Sequence, residues 1–587
     1  ERAGLRQFCL GIVLGTQRDA GAAGAPGGCP ASSMPVVVSQ LVSVLAVLIK
    51  RAWLDVDETK LDTGATRADY AAADDAARAH RSAMLAEAER AVSDASTNGA
   101  RVIGLNLFAA VITEFAPSTA SPMHLPWDFH ERCRVSLQND FLLAFYTHAV
   151  AVARGAAETG GALAGEDGGV CVAALRLITD ALAWDFAFSG RSASASGGFG
   201  FGAADPRAGA AEPRGDGALA DAARSKIAPG AAWRDALLAP ANADWVFELY
   251  FAASRAIAVP GDGRDEGGLG RFHRPGNDDA RLAGARAVAR AARRAVSSLC
   301  SLAGDVFPST REDPAETLRL AHFARCAVSL NRALRPARQV VANAASVGSG
   351  DAEEVMSDGA RGVAALAAIH APGDFFRPPA SGGGAAGAPS DANGPESAAL
   401  AATLGELTVC LLEAGALRSE NEGACVDETL TMCVEAWGAL AERSLAGQQR
   451  ATEAAGAFPG QAETSAACAS VFDAYLRAGL AAAAASAHEE DDGQEEEGKA
   501  GAAALDERLS SAARVARAAP DAVLPLLRAA TEAKTNELGA CLANLSNRDS
   551  GRDDASEILE QLWWLARLVP HVLCDAFEGE FPLPPDA

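Results

Sequence analysis

The chain has 587 residues and a formal net charge of −25, from 51 Lys+Arg against 76 Asp+Glu. Its length exceeds what one hydrophobic core fills, so several domains or an elongated array are expected. The charge argues against nucleic acid and anionic membrane as partners, and 49% hydrophobic residues exclude a wholly disordered chain.

Alanine is abundant and tyrosine scarce (4 residues). Ala loses no side-chain entropy in a helix, so the composition favours an all-α fold. The start, residues 1–35, is expected to be low-complexity or poorly ordered, because Gly15–Pro35 is rich in Gly, Ala and Pro. It lacks the charged, apolar, small-residue succession of a signal peptide. The chain begins at Glu1 rather than Met, so a fragment or incomplete gene product is expected. The longest apolar run, Val36–Ile49, is broken by Ser39, Gln40 and Ser43. It is too short to span a bilayer and reads as a buried helix, predicted over Val36–Arg51.

Helical periodicity then recurs along the chain and strand alternation does not. Further helices are predicted over Tyr70–Ser93, Ala100–Phe115, Phe129–Arg154, Val170–Trp184, Trp233–Leu238, Asp244–Ile257, Arg281–Leu302, Ala315–Leu334 and Ala360–Ile369. The rest are Glu396–Leu417, Asp427–Leu445, Glu463–Ala487, Ala502–Ala518, Pro520–Leu545 and Glu557–Phe577. Gly-, Ala-, Ser- and Pro-rich breaks near 155–169, 189–217, 260–279, 372–395 and 488–501 are expected to be flexible loops. Diverged helix pairs over 36–587 with loops at irregular spacing point to a HEAT-like, armadillo-type αα-superhelix.

One segment concentrates chemistry-bearing residues. Leu125–Val135 reads LPWDFHERCRV, with Asp128, His130, Glu131 and Cys133 close together. Asp128 followed three residues later by Glu131 matches a helix start in which Asp128 caps the free N–H groups. His130 and Cys133 share a helix face, but two ligands do not make a zinc site. Elsewhere there is no His-x-x-x-His, Gly-x-Ser-x-Gly, phosphate-loop or Cys-x-x-Cys pattern. The 12 Cys are scattered singly, as buried reduced thiols would be. No catalytic residue, metal ligand or cofactor is therefore assigned, and an enzyme is not expected. The six tryptophans Trp184, Trp233, Trp245, Trp437, Trp563 and Trp564 are expected to pack between helices. The acidic run His488–Gly498 holds Glu489, Glu490, Asp491, Asp492, Glu495, Glu496 and Glu497. It reads either as a solvated loop or as a surface that attracts a basic partner.

Several stretches resemble, in order, the exportin-4 branch of the importin-beta superfamily. They are LAVLIKRAWLD (Leu45–Asp55), ITEF (Ile112–Phe115), WDFHERCR (Trp127–Arg134) and ALAWDF (Ala181–Phe186). WRDALL (Trp233–Leu238) with FELYF (Phe247–Phe251) continues the series, and LWWLARLVPHVLCDAFEGEFPLPP (Leu562–Pro585) closes it. The helix with Tyr475 running into an acidic loop is also similar. The family's chain is longer, so further repeats are expected before residue 1 and after residue 587, including those that grip Ran. The resemblance implies a nuclear export receptor that binds Ran-GTP and a folded protein cargo cooperatively. It would cross the pore by contact with nuclear pore proteins, shuttling between nucleus and cytoplasm, without binding nucleic acid or entering membrane. The chemistry of GTP hydrolysis would belong to Ran, so no catalytic residue is needed. The alternative is a Ran-independent HEAT-repeat scaffold for a protein complex.

Overall fold

The computed structural model describes residues 2–21, 35–56, 67–94, 98–116, 126–164, 167–186, 226–258, 275–309, 311–313, 316–334, 350–377, 399–414, 424–454, 460–487, 495–544 and 551–574. Among them are 20 α-helices, two short 3-10 turns and no strand; one isolated bridge joins Ile227 to Leu302. The all-α class is therefore shown among the described residues, where neighbouring helices pack against one another. The chain divides into two compact units, 1–200 with 227–308, and 201–226 with 309–587.

The first unit holds eleven helices: α1 (Arg2–Gly21), α2 (Pro35–Ala52), α3 (Arg67–Ser93), α4 (Asn98–Phe115), α5 (Trp127–Asp140), α6 (Leu142–Glu158), α7 (Gly161–Ala164), α8 (Gly168–Leu182), α9 (Arg234–Leu238), α10 (Pro240–Ala258) and α11 (Pro275–Cys300). Helices α2, α4, α8 and α11 contact one another in succession; α1, α3, α6 and α10 lie against them as a second layer. Burying two apolar faces in this way removes Leu, Val and Phe side chains from water, at about 1.5–3 kcal/mol for each fully buried one.

Three features of this unit differ from the sequence expectation. Residues Arg2–Gly21, expected to be a poorly ordered start, form a helix that packs on α2 and buries Cys9, Leu10 and Val13. The single helix expected over Phe129–Arg154 is two helices broken at Phe141, whose backbone (φ −131, ψ −28) leaves the helical region. Asn139 and Asp140, weak helix formers, precede the break, and Asp140 is engaged by Arg78 and Arg81, each 3.0 Å away. The loop expected near 155–169 contains the last turn of α6, then α7 and the start of α8.

The second unit holds α12 (Thr317–Leu334), α13 (Gly350–Ala367), α14 (Pro372–Phe376), α15 (Leu400–Glu413), α16 (Ala424–Ala454), α17 (Gln461–Ser486), α18 (Glu495–Arg517), α19 (Pro520–Asn544) and α20 (Gly551–Leu573). Here α12, α13, α16, α18 and α20 follow one another, while α15 and α17 form the facing layer and α19 lies on α20. Two segments read as loops contribute helix: 372–376 becomes α14, and α18 begins at Glu495 inside the acidic run. Helix α13 starts ten residues before the expected Ala360, because Met356 and Ala360 are buried on one face. Gly359 on the same helix touches Leu334, where a Cβ would lie 2.6 Å from the leucine Cδ2. The loops expected over 189–217 and 260–274 lie outside the described residues, as does all of 378–395.

Candidate functional site

The segment WDFHERCR opens α5, but not through the cap its sequence suggests. Pro126 occupies the cap position with extended backbone, and no side chain caps the helix. The Phe129 and His130 N–H groups instead donate to the Pro126 carbonyl at 3.1 and 3.3 Å. Asp128 stands in the first turn, where its charge still suits the positive end of the helix dipole. Its expected capping bond is not made.

His130 and Cys133 part company at this point. Cys133 is fully buried, while His130 is half-exposed with its ring edge-on to Phe129. Burial, then the Lys50 charge, lower the His130 pKa, and the Glu114 carboxylate opposes them. Among the described residues no three His, Cys, Asp or Glu side chains converge to hold a metal ion.

The structure brings together the separate stretches that carry the sequence resemblance. Lys50 of LAVLIKRAWLD is 2% exposed, and its Nζ donates to the Glu114 carbonyl and, at 3.3 Å, to the Glu114 carboxylate of ITEF. The same ammonium lies 5.5 Å from the centre of the Phe115 ring. Trp53 sits edge-on to Phe115 and Phe141, and its Nε1 donates to Ser136 Oγ of α5 at 2.7 Å. Ser136 donates onward to the Cys133 carbonyl at 3.0 Å.

A second cation anchors the other side of α5. Arg134 is 2% exposed; its Nη2 donates to the Asp185 carbonyl, and its guanidinium stacks 4.8 Å from Trp184 of ALAWDF. Trp184 Nε1 donates to Gln138 Oε1 at 2.9 Å. Trp233 of WRDALL packs against Tyr146 and Phe186, and Arg234 donates to the Val306 carbonyl at 3.0 Å. Four stretches spread over some 140 residues of sequence, from Leu45 to Phe186, thus interlock at α5, and Trp233 of the fifth packs on Phe186 and on Tyr146 of α6. Each buried cation ends on a carbonyl, carboxylate or ring, as a low-dielectric interior requires. The arrangement is a packing joint.

The candidate partner-binding run is only partly visible. Glu489, Glu490, Asp491 and Asp492 lie outside the described residues, whereas Glu495, Glu496 and Glu497 form the first turn of α18. The helix they open is tied down further along: Arg514 pairs with Glu442 at 3.4 Å, and Arg517 donates to the His571 carbonyl at 2.8 Å. The network around α5 was missed by sequence reasoning. Its one local signal is the presence of Lys50 at the end of an apolar helical stretch.

Of the expected packing tryptophans, Trp184, Trp233, Trp437 and Trp564 are buried, whereas Trp563 is half in solvent beneath Arg567. Among the described residues no helix is long and apolar enough to cross a membrane. No protein-family model matches the chain, and no curated protein matches it.

Proposed function

We propose that the chain is a nuclear export receptor of the exportin-4 branch, binding Ran-GTP and a folded protein cargo together and carrying the cargo through the nuclear pore. The observation that supports this reading is the ordered series of stretches, of which those from Leu45 to Phe186 meet at α5 among packed helices. Each helix pair in a solenoid contacts only its neighbours, so small changes in packing accumulate into curvature that a ligand can select. Ran-GTP and cargo that favour the same curvature raise each other's affinity, and the coupling is reciprocal. The charge of −25 suits partners with basic surfaces, because complementary charge speeds encounter. No cofactor enters this reading.

The test is retention of the full-length protein on immobilised Ran locked in its GTP state, compared with Ran-GDP. Selective retention by the GTP form supports the reading. Equal retention, or none, sinks it.

A Ran-independent scaffold is favoured by one observation. Lys50, Trp53, Glu114, Arg134, Trp184 and Trp233, which carry much of the resemblance, are spent on contacts inside the array. Such contacts serve any helical scaffold equally well.

A further inference from the structure

A buried histidine in the second unit holds together the ends of several helices. His370 follows α13 and is 0% exposed. Its Nδ1 lies 3.0 Å from Arg319 Nη1. A guanidinium can only donate, so Nδ1 accepts and the imidazole is neutral with its proton on Nε2. Arg319 also binds Asp374 Oδ2 at 2.7 Å and Glu316 Oε2 at 2.5 Å. Phe323 covers the site, its ring 5.0 Å from His370 and 5.1 Å from Phe375.

The charged and titratable groups facing His370 are Arg319 and His322 from α12 and Arg443 from α16, with Asp374 of α14 across Arg319. Arg443 donates to the Ala368 carbonyl at 3.2 Å, fixing the end of α13. The connecting backbone is pressed together here. Glu316 holds a left-handed φ of +50, and Gly460, at φ +85, lies where a Cβ would come within 2.5 Å of the Gly373 Cα.

We propose that His370 is an acid-labile latch: a proton taken from solvent onto its Nδ1 breaks the Arg319 contact and releases segment 369–376 from α12, while the stacked helices stay folded. The geometry leaves the proton no other accommodation. Arg319 cannot yield its own proton, and the imidazolium, itself fully buried, would face two guanidinium groups and a second imidazole. Asp374 and Glu316 are both already engaged by Arg319. Burial above all, then His322, Arg319 and Arg443, hold the His370 pKa well below the usual 6.5. The closed latch therefore stays neutral while the open one takes up a proton below that value, so opening is favoured as pH falls and resisted above it.

Hydrogen exchange of the full chain, followed by mass spectrometry from pH 7.5 to 5 and corrected for intrinsic rates, tests this. The reporters are the His370 amide, bonded to the Leu366 carbonyl at 2.8 Å, and the Asp374 amide, bonded to that of Ala371 at 3.0 Å. Opening of 369–376 should rise by up to about tenfold per pH unit below about 6.5, with α4 unchanged. His370→Asn, which keeps an acceptor for Arg319 and cannot titrate, should flatten the response; His322→Gln should retain it. An acid response kept by His370→Asn or abolished by His322→Gln overturns the latch. Should the Asn variant not fold, the wild-type series still decides. Protection of 369–376 that is independent of pH, or lost together with that of α4, contradicts the proposal.

Discussion

Gly479, in the middle of α17, offers a perturbation whose sign follows from geometry. An added Cβ would lie 2.1 Å from Trp564 Cζ2 and 2.3 Å from its Cη2. Carbon atoms rest at about 3.5–4.0 Å, so the indole or the helix must move. Trp564 is 6% exposed and packed near Tyr475, which leaves the ring little room. Gly→Ala in a helix interior gains about 1 kcal/mol of propensity, but overpacking a filled interface costs about 1–3 kcal/mol or more. The cost wins, and Gly479→Ala should lower the local opening free energy of α17 and α20 by about 1–2 kcal/mol. Gly284→Ala is the control: nothing lies within 4 Å of the point its methyl would occupy, so it should stabilise α11 by about 0.5–1 kcal/mol. Hydrogen exchange over 476–483 and 561–568 reads the first variant, and exchange over α11 the second. Trp564→Leu makes room for the methyl, so Gly479→Ala should cost measurably less in that background, a coupling of about 0.5–3 kcal/mol. A Gly479→Ala protein as protected as wild type would refute the reasoning.

Other consequences can be checked separately. Arg134→Met removes the donor to the partly buried Asp185 carbonyl and should cost about 1–3 kcal/mol by urea unfolding of the first unit; Arg134→Lys should recover only part, since it lacks the planar group stacked on Trp184. Trp437→Phe loses the 3.2 Å bond from Nε1 to Thr408 Oγ1 inside the second unit and should cost about 1–3 kcal/mol by the same assay. Burial pushes the Cys171, Cys433 and Cys468 thiols up to about 12, so at pH 8 they should react with a thiol reagent only after denaturant is added. Their folded values exceed the ordinary 9.0, so the stability they contribute is fully present below pH 9. It is lost as pH rises towards 12, at up to about 1.4 kcal/mol per unit for each thiol, and the urea midpoint should fall accordingly.

The helices were legible because apolar side chains recur at helical spacing in an Ala-rich chain. Pro520 opens α19 where its missing N–H costs nothing, and the structure begins that helix at the same residue. The break at Phe141 was not legible, since Phe141, Leu142 and Phe145 continue an apolar face across it; the kink depends on Asp140 being held by arginines of another helix. Helix α1 was hidden because the Gly-, Ala- and Pro-rich stretch from Gly15 on outweighed the apolar run Phe8–Leu14, which packs against α2 and α4. The Asp128 cap failed for a local reason: Pro126 already holds the cap position, leaving Asp128 as the second residue of the first turn. The latch around His370 was beyond sequence reasoning, because Arg319, His322, His370, Asp374 and Arg443 come from three helices and a connecting turn. The acidic run is divided by the structure, with Glu495, Glu496 and Glu497 assigned to a helix start. Neutralising all seven acidic residues should weaken Ran or cargo binding and flatten its salt dependence; unchanged affinity at low salt would separate the run from partner recognition.

The most direct measurement is a titration of the full-length protein with Ran locked in the GTP state and, in parallel, with Ran-GDP. Export requires the GTP form to bind at least tenfold more tightly, about 1.4 kcal/mol, and addition of cargo to strengthen that binding further. Equal affinity for the two nucleotide states, or no affinity for either, would contradict a role in nuclear export and leave the scaffold as the better description.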